Sequence, residues 1–473
     1  MNFKPFTFAA MILAVTGCMT IFEAHEAQKS VAGLGYGVPA GTVQKVSLAN
    51  YSLRELVDFA MTNRPSVISA ALAVEDARLA LQQIAADAPL VSGSPWTAPR
   101  LSMSGAYSAS SESGKALHWH TEGSASAGLS LQVLLYDFGR NRSQANAQIE
   151  RLIAAEYGMI REGYAVFEEV SSAYFELLKS DAMLEVSLTN EVEYATHLKQ
   201  AKDRLAAGVA ESLDVTRATL DLAKAREETI VASNDVITCG AALMKALGIE
   251  ASNGVRDEVF PADGLALSAV MRGFADTRYS VGEAFDLART NSPVMAVARA
   301  KLRSSIHDVD YAIADLLPSV SAEVGLSWAD PLWAWHWGIN AVQSLFQGFR
   351  KTTAVDRAVV AMRQAEAAVC NAEQQLSLEV ETAVARRDNA QSARESARTT
   401  LIAARENFEQ VKTRYAEGEA SAVDFTDSVS YLATALGNRV NAFYVGQAAE
   451  AKLFALTGMM PDYREELIKE DVK

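Results

Sequence analysis

Cysteine, proline and glycine are all scarce in this chain: three, eleven and 27 among 473 residues. Three cysteines cannot make a disulfide framework, and no Cys/His spacing outlines a metal site. The prolines and glycines fall mostly outside long Ala/Leu/Glu/Arg-rich stretches, which makes helix the dominant element. Basic charge is short as well. The net charge is −15, with no basic stripe, and this excludes a nucleic-acid binder. An acidic balance suits a solvated surface or a cation-attracting lumen. No nucleotide-binding motif, nucleophile–base set or metal cluster is present, so neither an enzyme nor a cofactor is expected. Gly33-Leu34-Gly35-Tyr36-Gly37 has the wrong spacing and context for a dinucleotide fingerprint.

What is present starts with a leader. Lys4 precedes an apolar run from Phe6 to Val15, too short to span a bilayer, and Val15-Thr16-Gly17-Cys18 follows. Residues 1–17 read as a signal peptide, and Cys18 as the acylated first residue of a lipoprotein. An ordinary signal peptide with an incidental Cys18 fits the same residues. Met19 is not the Asp that usually retains such lipoproteins at the inner membrane. Residues 18–50 form an extended tether. Cys239 and Cys370 lie in amphipathic patterns, where free cysteine behaves as a small buried hydrophobe. His118-Trp119-His120 reads as a loop.

The rest is duplicated at a period of 228 residues, with repeat 1 over 51–248 and repeat 2 over 279–458. Tyr51-Ser52-Leu53-Arg54-Glu55 is echoed by Tyr279-Ser280-Val281-Gly282-Glu283, and both carry a capping box. Each opens a helix expected to run to about Asp87 or Asp315. Residues 249–278 are an irregular linker, which with the tail 459–473 forms a belt.

A hairpin follows each helix, at about 100–135 and 318–346. Val320, Ala322, Val324, Leu326 and Trp328 alternate with small or polar residues, as do Trp333, Trp335, Trp337 and Ile339. Leu101 and Met103, then Leu129, Leu131 and Val133, do the same in repeat 1. About ten residues with one apolar face suit a membrane-spanning strand, and a soluble sheet with one wet face gives the same alternation. Four strands cannot close a barrel, and open edges are not tolerated in lipid. Membrane strands here would have to be pooled among several chains.

A long helix follows each hairpin, from about Asn141 to Ala206 and Phe349 to Tyr415. Ile153, Tyr157, Ile160, Tyr164, Phe167, Ser171, Tyr174 and Leu178 follow a 4-3 spacing. It resumes at Leu184, Leu188, Glu191, Ala195, Leu198, Lys202 and Leu205, as in supercoiled helices. Each rod turns at a Gly motif and returns to about Leu247 or Leu456. The two turns align: Arg204 with Arg414, Gly208 with Gly418, Asp214 with Asp424, and Thr216 with Thr426. Ser421 is a natural N-cap with Asp424 three residues on, which explains Asp424 without any further role; Asp427 lies beyond the first turn and escapes that explanation.

These features together resemble the TolC-like outer membrane efflux and secretion channels. The resemblance rests on the two-fold repeat, on Leu135-Tyr136-Asp137-Phe138-Gly139-Arg140 with its weaker copy Leu345-Phe346-Gln347-Gly348-Phe349-Arg350, and on the two Gly turns. It implies a mainly α fold with membrane β, assembled as a homotrimer with a twelve-stranded β-barrel and an α-helical barrel. It implies an outer membrane location with a periplasmic tunnel, a periplasmic adaptor, and an inner membrane RND or ABC transporter. A periplasmic gate would use Asp424, Asp427, Asp214, Arg217 and Tyr415. The tip residues Arg204, Leu205, Gly208, Ser212, Arg414, Gly418 and Ser421 would dock the adaptor. The family's locking arginine after the second glycine is replaced by Ala420, so Arg217 or Arg414, paired with Asp214 or Asp424, is the expected substitute. Drug or metal efflux and type I protein secretion both fit. The competing class is a lipid-anchored coiled-coil adaptor that needs no strands.

Overall fold

The computed structural model describes residues 53–87, 100–113, 119–208, 211–249, 279–329 and 332–458. All belong to the unit formed by residues 51–255 and 263–473. The leader, Cys18, the tether, Ser52, most of the linker and the C-terminal tail lie outside the described residues.

Each repeat has the same order of elements. Repeat 1 comprises α1 (Leu53–Asn63), α2 (Pro65–Asp87), β1 (Arg100–Ser113), β2 (Trp119–Tyr136), α3 (Arg140–Ala206) and α4 (Ser212–Ala246). Repeat 2 comprises α5 (Val281–Asn291), α6 (Pro293–Ala314), β3 (Ser319–Ala329), β4 (Leu332–Val342), α7 (Arg350–Glu417) and α8 (Ala422–Thr457). The first helix of each repeat, expected to be continuous, is two helices. Pro65 and Pro293 lack the amide a continuing helix needs, and Ser292 is extended at φ −63°, ψ 125°. Ser280 caps α5 as the pattern predicts, accepting from the Glu283 amide at 3.3 Å while Glu283 accepts from the Ser280 amide at 2.9 Å.

The four strands form one antiparallel sheet in the order β1-β2-β3-β4. The register aligns Met103, Leu129, Leu326 and Trp335 in one row and Leu101, Leu131, Val324 and Trp337 in the next. That makes one apolar face. Ser102, Ser130, Gly325 and His336 share a row on the opposite face. Trp119 and His120, expected in a loop, are the first residues of β2.

At 1.5 Å per residue, α3 and α7 are each about 100 Å long. The shorter helices pack in the same order as the strands: α2 on α3, α6 on α3 and on α7. Nearer the turns α4 packs on α3, and α8 lies between α3 and α7. So α6 and α8 occupy one slot end to end. Gly458 closes α8 in the left-handed region at φ 67°, so close to Asn291 that an added Cβ would lie 2.8 Å from the Asn291 side chain. Ion pairs Arg303–Glu150, Arg151–Asp308 and Arg140–Asp315, at 2.8, 2.7 and 2.9 Å, tie α6 to α3. Where α5, α6, α7 and α8 meet, Met295, Leu376, Val380, Val384 and Leu453 form a core.

Each strand-to-helix joint has two successive residues in the left-handed region. They are Phe138 and Gly139 (φ 55° and 84°) before α3, and Gly348 and Phe349 (φ 60° and 63°) before α7. The repeat has kept the backbone and exchanged the order of Phe and Gly. Both remaining cysteines are free; Cys239 is half-buried and Cys370 exposed, so Cys370 is not the buried hydrophobe expected of it.

Candidate functional site

The two Gly turns lie at the same end of the helices. At the second, Gly418 (φ 84°) ends α7, with the Glu419 amide donating to the Arg414 carbonyl at 2.8 Å and the Gly418 amide to the Tyr415 carbonyl at 3.1 Å. This paired closure needs a left-handed residue, which only glycine adopts freely. Gly208 (φ 76°) ends the first turn similarly, its amide donating to the Leu205 carbonyl at 3.0 Å.

Ser421 caps α8. Its Oγ accepts from the Asp424 amide at 3.1 Å, and Asp424 Oδ2 accepts from the Ser421 amide at 3.0 Å and from Ser421 Oγ at 2.7 Å. These bonds, the Ser421 hydroxyl first, hold the Asp424 carboxyl below its ordinary range, with Arg414 adding to the effect. At the first turn Glu211 holds the cap position, and its amide donates to Asp214 Oδ2 at 3.4 Å. Asp427 is exposed one turn beyond Asp424.

The contact that crosses between the turns is made by Arg204. Its guanidinium lies 4.9 Å from the centroid of the Tyr415 ring, and Nη1 donates to the Tyr415 carbonyl at 3.3 Å. A cation is well placed there: this is the negative end of α7, and the Tyr415 carbonyl, bonded once by the Gly418 amide, has a second lone pair to offer. Arg414 remains exposed, 4.0 Å from Glu419. Arg217 is exposed and makes no ion pair among the described residues. Within one chain, then, neither expected substitute crosses between the turns. Leu205, Gly208 and Ser212 are exposed at the tip, as are Leu213 and Val423 beside them.

Beneath Arg204 is an aromatic core. Tyr415 is 4% exposed and packs with Tyr194, Leu222, Phe408, Phe425 and Val429. Phe425 lies 5.1 Å from Tyr415 and 6.1 Å from Phe408. Lys412 covers Phe408 at 4.9 Å and reaches Glu193 at 3.6 Å. The Tyr194 hydroxyl is pushed up to about 12 by burial and by Asp221, Glu228 and Asp427. His197 completes the cluster, 4.7 Å from Phe425 and 5.3 Å from Tyr415. Tyr194, His197 and Asp221 were not singled out by sequence. The signal was the 3-4 spacing of Tyr194, His197, Ala201 and Arg204, one residue out of step with the more apolar Ala195, Leu198, Lys202 and Leu205.

The sheet is a second exposed surface. Trp333, Trp335 and Trp337 are 64, 72 and 69% exposed, all on one face. The other face is joined by hydrogen bonds between side chains: Ser102 to Ser130 at 2.7 Å, Gln132 to Ser321 at 3.2 Å, and Asn340 to Glu323 at 3.3 Å. Among the described residues no helix is long and apolar enough to cross a membrane.

The fold is shared with solved structures. A membrane protein from Pseudomonas aeruginosa superposes with a TM-score of 0.73 at 22% identity, covering 89% of this chain and 99% of that one. The outer membrane protein VceC from Vibrio cholerae gives 0.73 at 18% identity, over 86% of this chain and 96% of its own. The Campylobacter jejuni CmeC outer membrane channel gives 0.74 at 17% identity, over 89% of each chain. No curated protein matches by sequence. The sequence pattern described as Outer membrane efflux protein matches residues 56–249 and 284–459, one segment in each repeat. With both repeats covered, the chain belongs to the outer membrane efflux protein family.

Proposed function

We propose that three copies of this efflux channel pool their sheets into one twelve-stranded barrel, with the Trp333–Trp337 face in lipid and the small polar face around an aqueous passage. The observation that carries this is the open sheet: β1 and β4 have no partner on their outer edges among the described residues, and the apolar face is uncovered. Open edges cannot stay unpaired in hydrocarbon. The helices support the same arrangement. Leu213, Leu220, Ile230 and Ile237 leave an exposed apolar stripe on α4, and Val360, Leu378 and Ile402 are exposed on α7. These two helices are the edges of the row, suited to meet a neighbouring copy.

In this reading the helices continue the barrel as a periplasmic tunnel, and the Gly208 and Gly418 turns form its narrow end. Three copies of Asp427, free of any cap, would ring the constriction and favour cations. Asp424, committed to Ser421, would add charge there mainly by proximity. The exposed Leu205, Gly208, Ser212, Leu213 and Val423 suit docking of a periplasmic adaptor, with an inner membrane RND or ABC transporter supplying the energy. The channel itself would be a passive, non-enzymatic conduit, anchored further by a lipid on Cys18.

Detergent-extracted protein reconstituted in planar bilayers tests this. Heat-stable trimers with stepwise, cation-selective conductance are expected. A monomer that stays in solution without detergent and conducts nothing would overturn the reading.

A further inference from the structure

His197 is 1% exposed, and its Nδ1 is buried without a hydrogen-bond partner. It sits where three helices meet: it belongs to α3, stacks on Phe425 of α8 at 24° between planes, and faces Tyr415 of α7. We propose that His197 makes the contact between the α3/α4 and α7/α8 hairpins pH-sensitive, holding them together when neutral and loosening them when protonated. The inference rests on reading this end as the constriction, and it adds the regulation of that site.

The physical reason is the environment of the ring. An imidazolium has two N–H donors to satisfy. Nδ1 faces no acceptor, and the surrounding aromatic side chains exclude water, so the charged form is unfavourable while the cluster stays packed. The groups around it pull in both directions. From α4, Asp221 and Asp214 favour the cation. On its own helix Tyr194 is neutral and Arg204 is cationic, the latter stacked on Tyr415. From α7 come the neutral Tyr415 and the Lys412 and Arg414 cations farther along. From α8, Asp424 is tied to Ser421, and Asp427 is exposed. The ring face of Phe425 attracts a cation weakly. Burial outweighs the aspartates and holds the imidazole below its ordinary range. A depressed value means that the packed state is favoured above the unperturbed value of about 6.5 and loses that advantage as pH falls through the lowered one. Loosening the packed hairpins lets water reach Nδ1, so acid favours separation.

The test uses the full-length, lipid-reconstituted channel with Cys239→Ser and Cys370→Ser. Nitroxide labels are placed at the exposed Leu213→Cys and Val423→Cys, one on each hairpin. Between pH 8 and pH 5 the label distance in one chain is expected to lengthen reversibly by several ångströms. With His197→Phe, which keeps an aromatic ring, it stays constant; His197→Tyr serves if that variant does not assemble. An unchanged distance with His197 present, or the same lengthening without it, overturns the proposal. Bilayer conductance is recorded in parallel. Lengthening accompanied by a rise in conductance supports both readings. Lengthening with flat conductance supports the histidine and overturns the constriction.

Discussion

The two turns descend from one pattern and now do different work. At the second, Tyr415 and Phe425 are buried; their counterparts at the first, Leu205 and Val215, are exposed and half-buried. At the first, Arg204 and His197 reach across to that core. Their counterparts Arg414 and Asn407 are exposed. Ser421 caps α8 with its hydroxyl, where Glu211 holds the same place before α4 without one. The second turn is the packed partner and the first supplies the groups that grip it. The asymmetry gives the two hairpins unlike parts in the contact between them.

Removing the core should show the largest asymmetry. Phe425→Ala deletes a buried ring that meets His197, Phe408 and Tyr415 and is expected to destabilise by about 3–5 kcal/mol. Val215→Ala, at the matching place, should cost about 1 kcal/mol or less. Denaturant unfolding of the detergent-solubilised protein, read together with hydrogen exchange at the tip, checks both. Equal costs would mean the turns are still equivalent.

The arginines come next. Arg204→Ala loses a stacked cation and a bond to a helix-end carbonyl, about 1–2 kcal/mol together. Arg414→Ala loses an exposed pair with Glu419 at the limit of contact, about 0–0.5 kcal/mol, besides its weak pull on the Asp424 carboxylate. Local protection of the α7 C-terminus in hydrogen exchange should fall in the first and hold in the second.

The sequence made much of this legible, and the misses have physical causes. The repeat, the strands with their apolar rows and the long helices were visible because each has a strong period and clear stops. Pro65 and Pro293 are visible too, but proline also suits the first turn of a helix that follows directly on another, and the capping box before each marks only where the first helix starts. The seam of lower α3 was misplaced by one residue. Periodicity finds the most apolar stripe, and here Leu188 and Leu205 lie on a surface that the chain leaves exposed. The stripe its own hairpins bury carries Tyr194, His197 and Arg204, whose polar ends discount them in any apolar count. The expected substitutes for Ala420 pair charge with charge, whereas the arginine that crosses between the turns within one chain, Arg204, uses a ring face and a carbonyl.

Capping gives a smaller contrast with a definite pH signature. Ser421→Ala is expected to destabilise α8 by about 1 kcal/mol. Ser212→Ala, one residue after the α4 cap, should be close to neutral. The Asp424 carboxyl is held low in the folded state, so its contribution is present above about pH 4 and is lost as pH falls through the lowered value. The difference in stability between wild type and Ser421→Ala should therefore shrink in acid below pH 4. A constant difference would mean the serine acts without the aspartate.

The exposed charges of the tips should give the smallest effect on folding. Asp427→Asn and Arg217→Ala are each expected to change stability by no more than about 0.5 kcal/mol. If three copies of Asp427 ring the constriction, Asp427→Asn should still lower cation selectivity in bilayers, because selectivity depends on the field inside a narrow ring rather than on any bond within the chain. Asp424→Asn should lower selectivity less than Asp427→Asn and stability more. The reverse order would assign the ring to Asp424 despite its bonds to Ser421, and would make capping and selectivity two uses of one carboxylate.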